Sequence, residues 1–204
     1  MSTKCPRGLL LLLCLFGLSA LAAPPAPRLR LQPTTARPGD PVLVTVKGLE
    51  GEPTGTLGER PLHFYPTHDG FQALLGLPVE QPLGELTVTV SVPGDPDGGS
   101  AQLTAVLRVV APGWPTRTLK VASKFIKPPP EVEARMQEDQ AAFTAAFAQP
   151  FSPPLFVKNF AWPRPEHITA PFGDLRTFNG QKQSQHYGTD LKGSTGDPDR
   201  KRHV

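Results

Sequence analysis

Cysteine is almost absent from this chain of 204 residues, and its two copies, Cys5 and Cys14, both lie near the N-terminus. Aromatic residues are few, at 7%, and charged residues make up only 19%. Beyond the N-terminal segment no run is apolar for the ~20 residues that a membrane-spanning helix needs. Long stretches free of helix breakers are scarce too, because 26 prolines are spread through the chain. A proline inside a helix removes a hydrogen bond and clashes with the preceding turn. Helical bundles and coiled coils are therefore excluded. Such a composition suits short strands joined by proline- and glycine-bearing turns.

The segment 1–22 has the order of a secretory signal peptide. Lys4 and Arg7 give a positive start, Leu9 to Leu21 an apolar core, and Ala20-Leu21-Ala22 a small-x-small cleavage site before Ala23. Cys14 sits inside the apolar core and not after small residues at its end, which argues against a lipid-modified cysteine. Cleavage removes both cysteines, so the mature chain has neither a disulfide nor thiolate chemistry. It also removes Lys4 and Arg7, leaving 19 basic against 18 acidic residues, a net charge of +1. That balance gives no argument for a nucleic-acid partner. The expected product is extracytoplasmic, in the periplasm, in the cell wall or secreted, and has no stable membrane span.

Residues 23–112 read as a small β domain. Pro41 to Val46 is rich in β-branched residues between Gly39 and Gly48. Pro61 to Tyr65 predicts a further strand, and Phe71 to Leu75 follows the turn pair Asp69-Gly70. Leu86 to Val92 alternates strictly, which predicts a half-buried antiparallel strand. Ala101 to Val110 supplies another after the turn cluster 94–99. About six short strands at this spacing suggest an immunoglobulin-like sandwich. His63 and His68 lie here, and without a third partner their expected roles are at a strand edge and in a turn.

Residues 113–158 read as a linker. Pro112-Gly113-Trp114-Pro115 breaks the strand, and Arg117 to Ile126 resumes an extended pattern. Pro128-Pro129-Pro130 is a stiff spacer. Glu131 to Ala148 predicts the one helix, with proline and acids suited to its first turn. Val132, Met136, Phe143 and Phe147 share one face, which is expected to pack on the neighbouring domain. The other reading of that stripe is a docking surface for a partner.

The candidate chemistry lies in 159–204. Asn179-Gly180 favours a tight turn with positive φ. His186 and Asp190 offer a nitrogen and an oxygen ligand four residues apart, with Gly188 between them. Such a pair suits zinc; an ordinary hydrogen-bonded surface pair is the alternative.

Ile168-Thr169-Ala170-Pro171-Phe172-Gly173, then Phe178-Asn179-Gly180, then His186-x-Gly188-x-Asp190 resemble, in order and spacing, the opening of lysostaphin-type (LytM-like) zinc endopeptidase domains. The upstream order of signal peptide, Ig-like domain, strand, helix and Trp162-Pro163 is similar to that family's arrangement as well. The resemblance implies a mainly β protein: an Ig-like β-sandwich, a linker helix and an antiparallel β peptidase domain with a groove. It implies Zn2+ as cofactor, His186 and Asp190 as two of its ligands, and peptide cross-links of bacterial peptidoglycan as substrate.

Family domains continue past this motif to a His-x-His segment that carries the third zinc ligand and a catalytic histidine. These 204 residues contain no His-x-His. After Gly196-Asp197-Pro198, where the family enters an apolar strand, this chain runs Asp199-Arg200-Lys201-Arg202-His203-Val204. His203 is a poor third ligand, because its basic neighbours repel a divalent cation. No catalytic base can be assigned. The expectation is a truncated peptidase domain, inactive by itself and loosely packed from about residue 160. The alternative function is a non-catalytic cell-wall binding or regulatory factor.

Overall fold

The computed structural model describes residues 26–93, 101–156, 158 and 160–197. The proposed signal peptide, the turn cluster 94–99 and His203 lie wholly or largely outside these residues.

The protein is mainly β. Among the described residues nine strands precede the linker: β1 (Arg28–Gln32), β2 (Thr35–Ala36), β3 (Pro41–Lys47), β4 (Thr54–Leu57), β5 (Arg60–Pro61), β6 (Tyr65–Thr67), β7 (Gly70–Gly76), β8 (Gly84–Val92) and β9 (Ala101–Val109). They form two sheets, in the orders β1-β3-β7-β6 and β2-β9-β8-β4-β5. All pairings are antiparallel except β2 with β9.

The period-two pattern explains the core. In β8, Val88, Val90 and Val92 point inward and are buried, while the intervening Thr89 and Ser91 are half-buried and exposed. Val42, Val44 and Val46 of β3 face them from the other sheet, and Leu107 and Val109 of β9 join the same cluster. Full burial of each such side chain contributes about 1.5–3 kcal/mol.

The strand expected over Pro61 to Tyr65 is in fact a crossing between sheets. β5 pairs with β4 in one sheet and β6 with β7 in the other. Pro61 and Pro66 lack the N–H that a continuous ladder would need. Leu62 and Phe64 are buried between the two pieces.

The linker strand β10 (Thr116–Leu119) leaves the sandwich and runs parallel to β12 (Leu175–Phe178), so the segment read as linker supplies an edge of the C-terminal sheet. A parallel pair requires a long crossover. Here the crossover contains a 3-10 turn (Ser123–Phe125), the helix α1 (Pro130–Phe147) and the Pro-rich stretch after it. The C-terminal sheet, in the order β10-β12-β13 with β13 at Lys182–Gln185, is therefore mixed and not purely antiparallel. A second pair joins β11 (Ile168–Ala170) to β14 (Asp190–Leu191).

The helix forms as its sequence predicts, with an extended Pro129 before it, Pro130 in its first turn, and Glu131 and Glu133 facing the positive end of the dipole. The expectation that its apolar face packs on a neighbouring domain is overturned. No residue of α1 is buried, and Phe147 is 85% exposed. Pro128-Pro129-Pro130 before the helix and Pro150, Pro153 and Pro154 after it stiffen both connections, and Val132, Met136 and Phe143 of the stripe are exposed as well. No helix among the described residues is long and apolar enough to cross a membrane.

Candidate metal centre

The β12–β13 hairpin turns through Asn179 and Gly180, with φ of 51° and 71°, the left-handed conformations that this residue pair favours. Its ladder continues beyond β13. The His186 amide donates to the Asp174 carbonyl at 3.0 Å, and the Gly173 amide donates to the His186 carbonyl at 2.7 Å. Asp190 opens β14, and the Thr169 hydroxyl of β11 donates to its carbonyl at 3.2 Å. Two strand pairs thus bring residues 186 and 190 to one place.

The side chains meet. His186 Nε2 lies 3.3 Å from Asp190 Oδ1. The other ring nitrogen, Nδ1, lies 3.0 Å from the Pro171 carbonyl oxygen. An acceptor at Nδ1 assigns a hydrogen to that nitrogen, and in the neutral imidazole Nε2 then keeps its lone pair. A lone pair facing a carboxylate oxygen is repulsive unless a cation, a proton or a metal ion, lies between them. A Cβ at Gly188 would stand 3.5 Å from Nε2, in ordinary van der Waals contact with the imidazole.

Behind the pair is a polar network that the sequence reading did not single out. Asp174 is fully buried, with its side chain 0% exposed. Its Oδ2 accepts from Arg176 Nε at 3.2 Å, and its Oδ1 lies 3.2 Å from Arg117 Nε, ion-paired but not aligned for a hydrogen bond. Arg176 also donates through Nη2 to Asp190 Oδ2 at 3.4 Å. Arg117 reaches the Thr169 carbonyl at 3.3 Å. Two carboxylates and two guanidiniums therefore balance in charge behind the imidazole. One signal was present in the sequence: Asp174 and Arg176 are two apart where a strand begins, and so share a face. Arg117, 57 positions before Asp174, had none.

Other features hold the site to its surroundings. Asn179 uses its side-chain amide as a backbone mimic, accepting from the Val121 amide at 2.9 Å and donating to the Val121 carbonyl at 2.8 Å. Trp114 packs so closely over Gly173 that any side chain there would strike the indole. The Phe172 ring meets Trp114 edge-on at 6.5 Å and covers Gly39 of the sandwich. Tyr187, next to His186, donates to Glu80 of the sandwich at 3.3 Å. Further on, the Ser194 amide and the Arg164 guanidinium hold the Asp197 carboxyl below its ordinary range.

The two histidines of the sandwich take other places. His63 stacks on Phe151, with ring centres 5.0 Å apart, and His68 occupies the turn between β6 and β7. Among the described residues no three His, Cys, Asp or Glu side chains are grouped to hold a metal. No family model matches the chain, and no curated protein matches it. Fold and site together define a mainly β protein with a convergent His–carboxylate pair, among the described residues, that is backed by buried charge.

Proposed function

We propose that this chain is an exported homologue of the lysostaphin-type zinc endopeptidases, directed at peptide cross-links of peptidoglycan, with His186 and Asp190 as two zinc ligands. The observation that carries this reading is the geometry of that pair. Two ligand atoms each about 2.05 Å from a tetrahedral zinc stand about 3.3–3.4 Å apart. The His186–Asp190 separation of 3.3 Å fits that edge and is longer than the ~2.9 Å typical of an N–H···O bond. The Nδ1 contact to a backbone carbonyl is the usual outer support of a zinc-binding histidine.

The sandwich supports the domain reading. Its first strand lies in one sheet, the next short strand lies in the other, and that second strand pairs in parallel with the last, as in immunoglobulin-like folds.

Zinc bound at the pair would act as a Lewis acid on a peptide carbonyl. The chain's own part is to orient the ligands. The Pro171 carbonyl sets the imidazole tautomer, and the β12–β13 and β11–β14 pairs set the spacing of the two side chains. With two ligands and no base identified among the described residues, the chain is expected to bind zinc weakly and not to hydrolyse peptidoglycan by itself. A second reading, a non-catalytic cell-wall binding factor, is favoured by exposed aromatic side chains along the same segment: Phe160, Trp162 and Tyr187.

Calorimetric titration of the chain with Zn2+ tests the primary reading. We expect uptake by the wild type, and loss of uptake in His186→Ala and in Asp190→Ala. Absence of uptake, or uptake indifferent to both substitutions, overturns it. Co-sedimentation with insoluble peptidoglycan by a chain that binds no zinc would favour the second reading.

A further inference from the structure

We infer that Arg176 is a positioning residue: it holds the Asp190 carboxylate so that a single oxygen, Oδ1, is presented to His186. The inference rests on the zinc reading for its purpose, but its geometry stands on its own. Arg176 Nη2 engages Asp190 Oδ2 at 3.4 Å, leaving Oδ1 as the oxygen that faces Nε2 at 3.3 Å. Arg176 is itself held. Its Nε is paired at 3.2 Å with Asp174, whose side chain is wholly buried and whose other oxygen faces Arg117. The Arg176 side chain is 20% exposed, whereas that of Asp190 is 55% exposed.

An exposed aspartate left alone samples several rotamers. A planar guanidinium that bridges two carboxylates removes that freedom, which a single ammonium cannot do. Charge acts against the metal, in part. Asp174 is shared between Arg176 and Arg117, so these three groups leave one net positive charge behind Asp190. Arg176 therefore contributes by orienting Asp190 and not by its charge. Outer partners of metal ligands commonly set affinity by about ten- to a hundredfold.

The test uses the full chain with 15N-labelled histidine, assigned through His186→Gln, at one fixed pH and without metal. Arg176→Ala should move the His186 ring nitrogen signals in the direction seen in Asp190→Asn. The double variant should add nothing to Asp190→Asn. Arg176→Lys keeps a positive charge beside Asp174, guards against loss of the sheet, and should give the same shift because it lacks the fork. His186 signals that stay at their wild-type positions in both Arg176 variants overturn the inference. Zinc titration of the same samples should show about a ten- to hundredfold loss of affinity in Arg176→Ala; unchanged or tighter binding also overturns it. The two readings fail separately. If the wild type takes up no zinc while the ring signals shift as described, the metal reading falls and the positioning role stands. If the wild type binds zinc and neither Arg176 variant changes the ring signals or the affinity, the positioning role falls and the metal reading stands.

Discussion

The sandwich and the C-terminal sheets are held together by different forces. In the sandwich, fifteen buried apolar residues from two sheets meet in one cluster. Among the described residues from 160 onward, only Ala170, Gly173 and Asp174 are buried. The first region is stabilised by removing hydrocarbon from water, a force that needs only volume and pattern. The second has little hydrocarbon to bury. It relies on strand pairing, on the Trp114–Phe172 contact, and on the line of charge from Arg117 through Asp174 and Arg176 to Asp190. Such a network depends on each partner being present, because removing one leaves a buried charge uncompensated. A region of this kind can hold two side chains in a set geometry without a large core, but it loses that geometry at a single break.

Substitutions on each side of this contrast should differ in size and reach. Leu107→Ala empties a fully buried position in β9. It should lower global stability by about 3 kcal/mol, within the 2–5 kcal/mol usual for such truncations, as read by urea unfolding of the sandwich. A loss under about 1 kcal/mol would mean that the two sheets do not share a tight core. Asp174→Asn should cost less, about 2 kcal/mol, because Arg117 is partly open to water and can recover hydration. Its effect should also be local. Hydrogen exchange of the β12 and β13 amides should rise roughly thirtyfold for that cost, while β8 and β9 stay protected. Exchange that rises equally in both regions would break the contrast, and exchange that rises in neither would remove the network from the list of stabilising forces.

The same contrast explains which parts of the molecule could be read from the sequence. β3, β7, β8 and β9 follow from alternation and turn chemistry, because both signals lie within a few residues of one another. Asn179-Gly180 and the spacing of His186 and Asp190 are local as well, and the structure brings that pair within contact. The helix was legible as a helix, since proline, acids and spacing mark it. Its stripe was not legible as an exposed one, because apolar spacing does not say what lies opposite. Asp174 was missed for a related reason. Its burial depends on the register that sets β10 beside β12, a parallel pairing across a crossover of more than fifty residues, and no local pattern records that register. The strand expected at Pro61 to Tyr65 erred through its prolines, which break the ladder and hand the chain from one sheet to the other.

The smallest expected effect is that of Asn179→Gly, within the C-terminal sheet. Asn179 carries two loads: a backbone with φ of 51° and a paired amide contact to Val121, just beyond β10. Asn179→Gly removes the contact while tolerating the backbone, and Asn179→Ala removes the contact and adds the strain of a Cβ in the left-handed region. Each exposed hydrogen bond contributes about 0.5 kcal/mol, at the low end of the usual range, so Asn179→Gly should cost about 1 kcal/mol and Asn179→Ala about 2 kcal/mol once the roughly 1 kcal/mol backbone penalty is added. The Val121 amide reports the result, since in the native chain its hydrogen is held by the Asn179 side chain. Faster exchange at Val121 in both variants, larger in Ala than in Gly, is the expected pattern. If Gly matched the wild type and only Ala lost protection, Asn179 would serve the turn alone, and β10 would be held to the hairpin by its ladder without the side-chain staple.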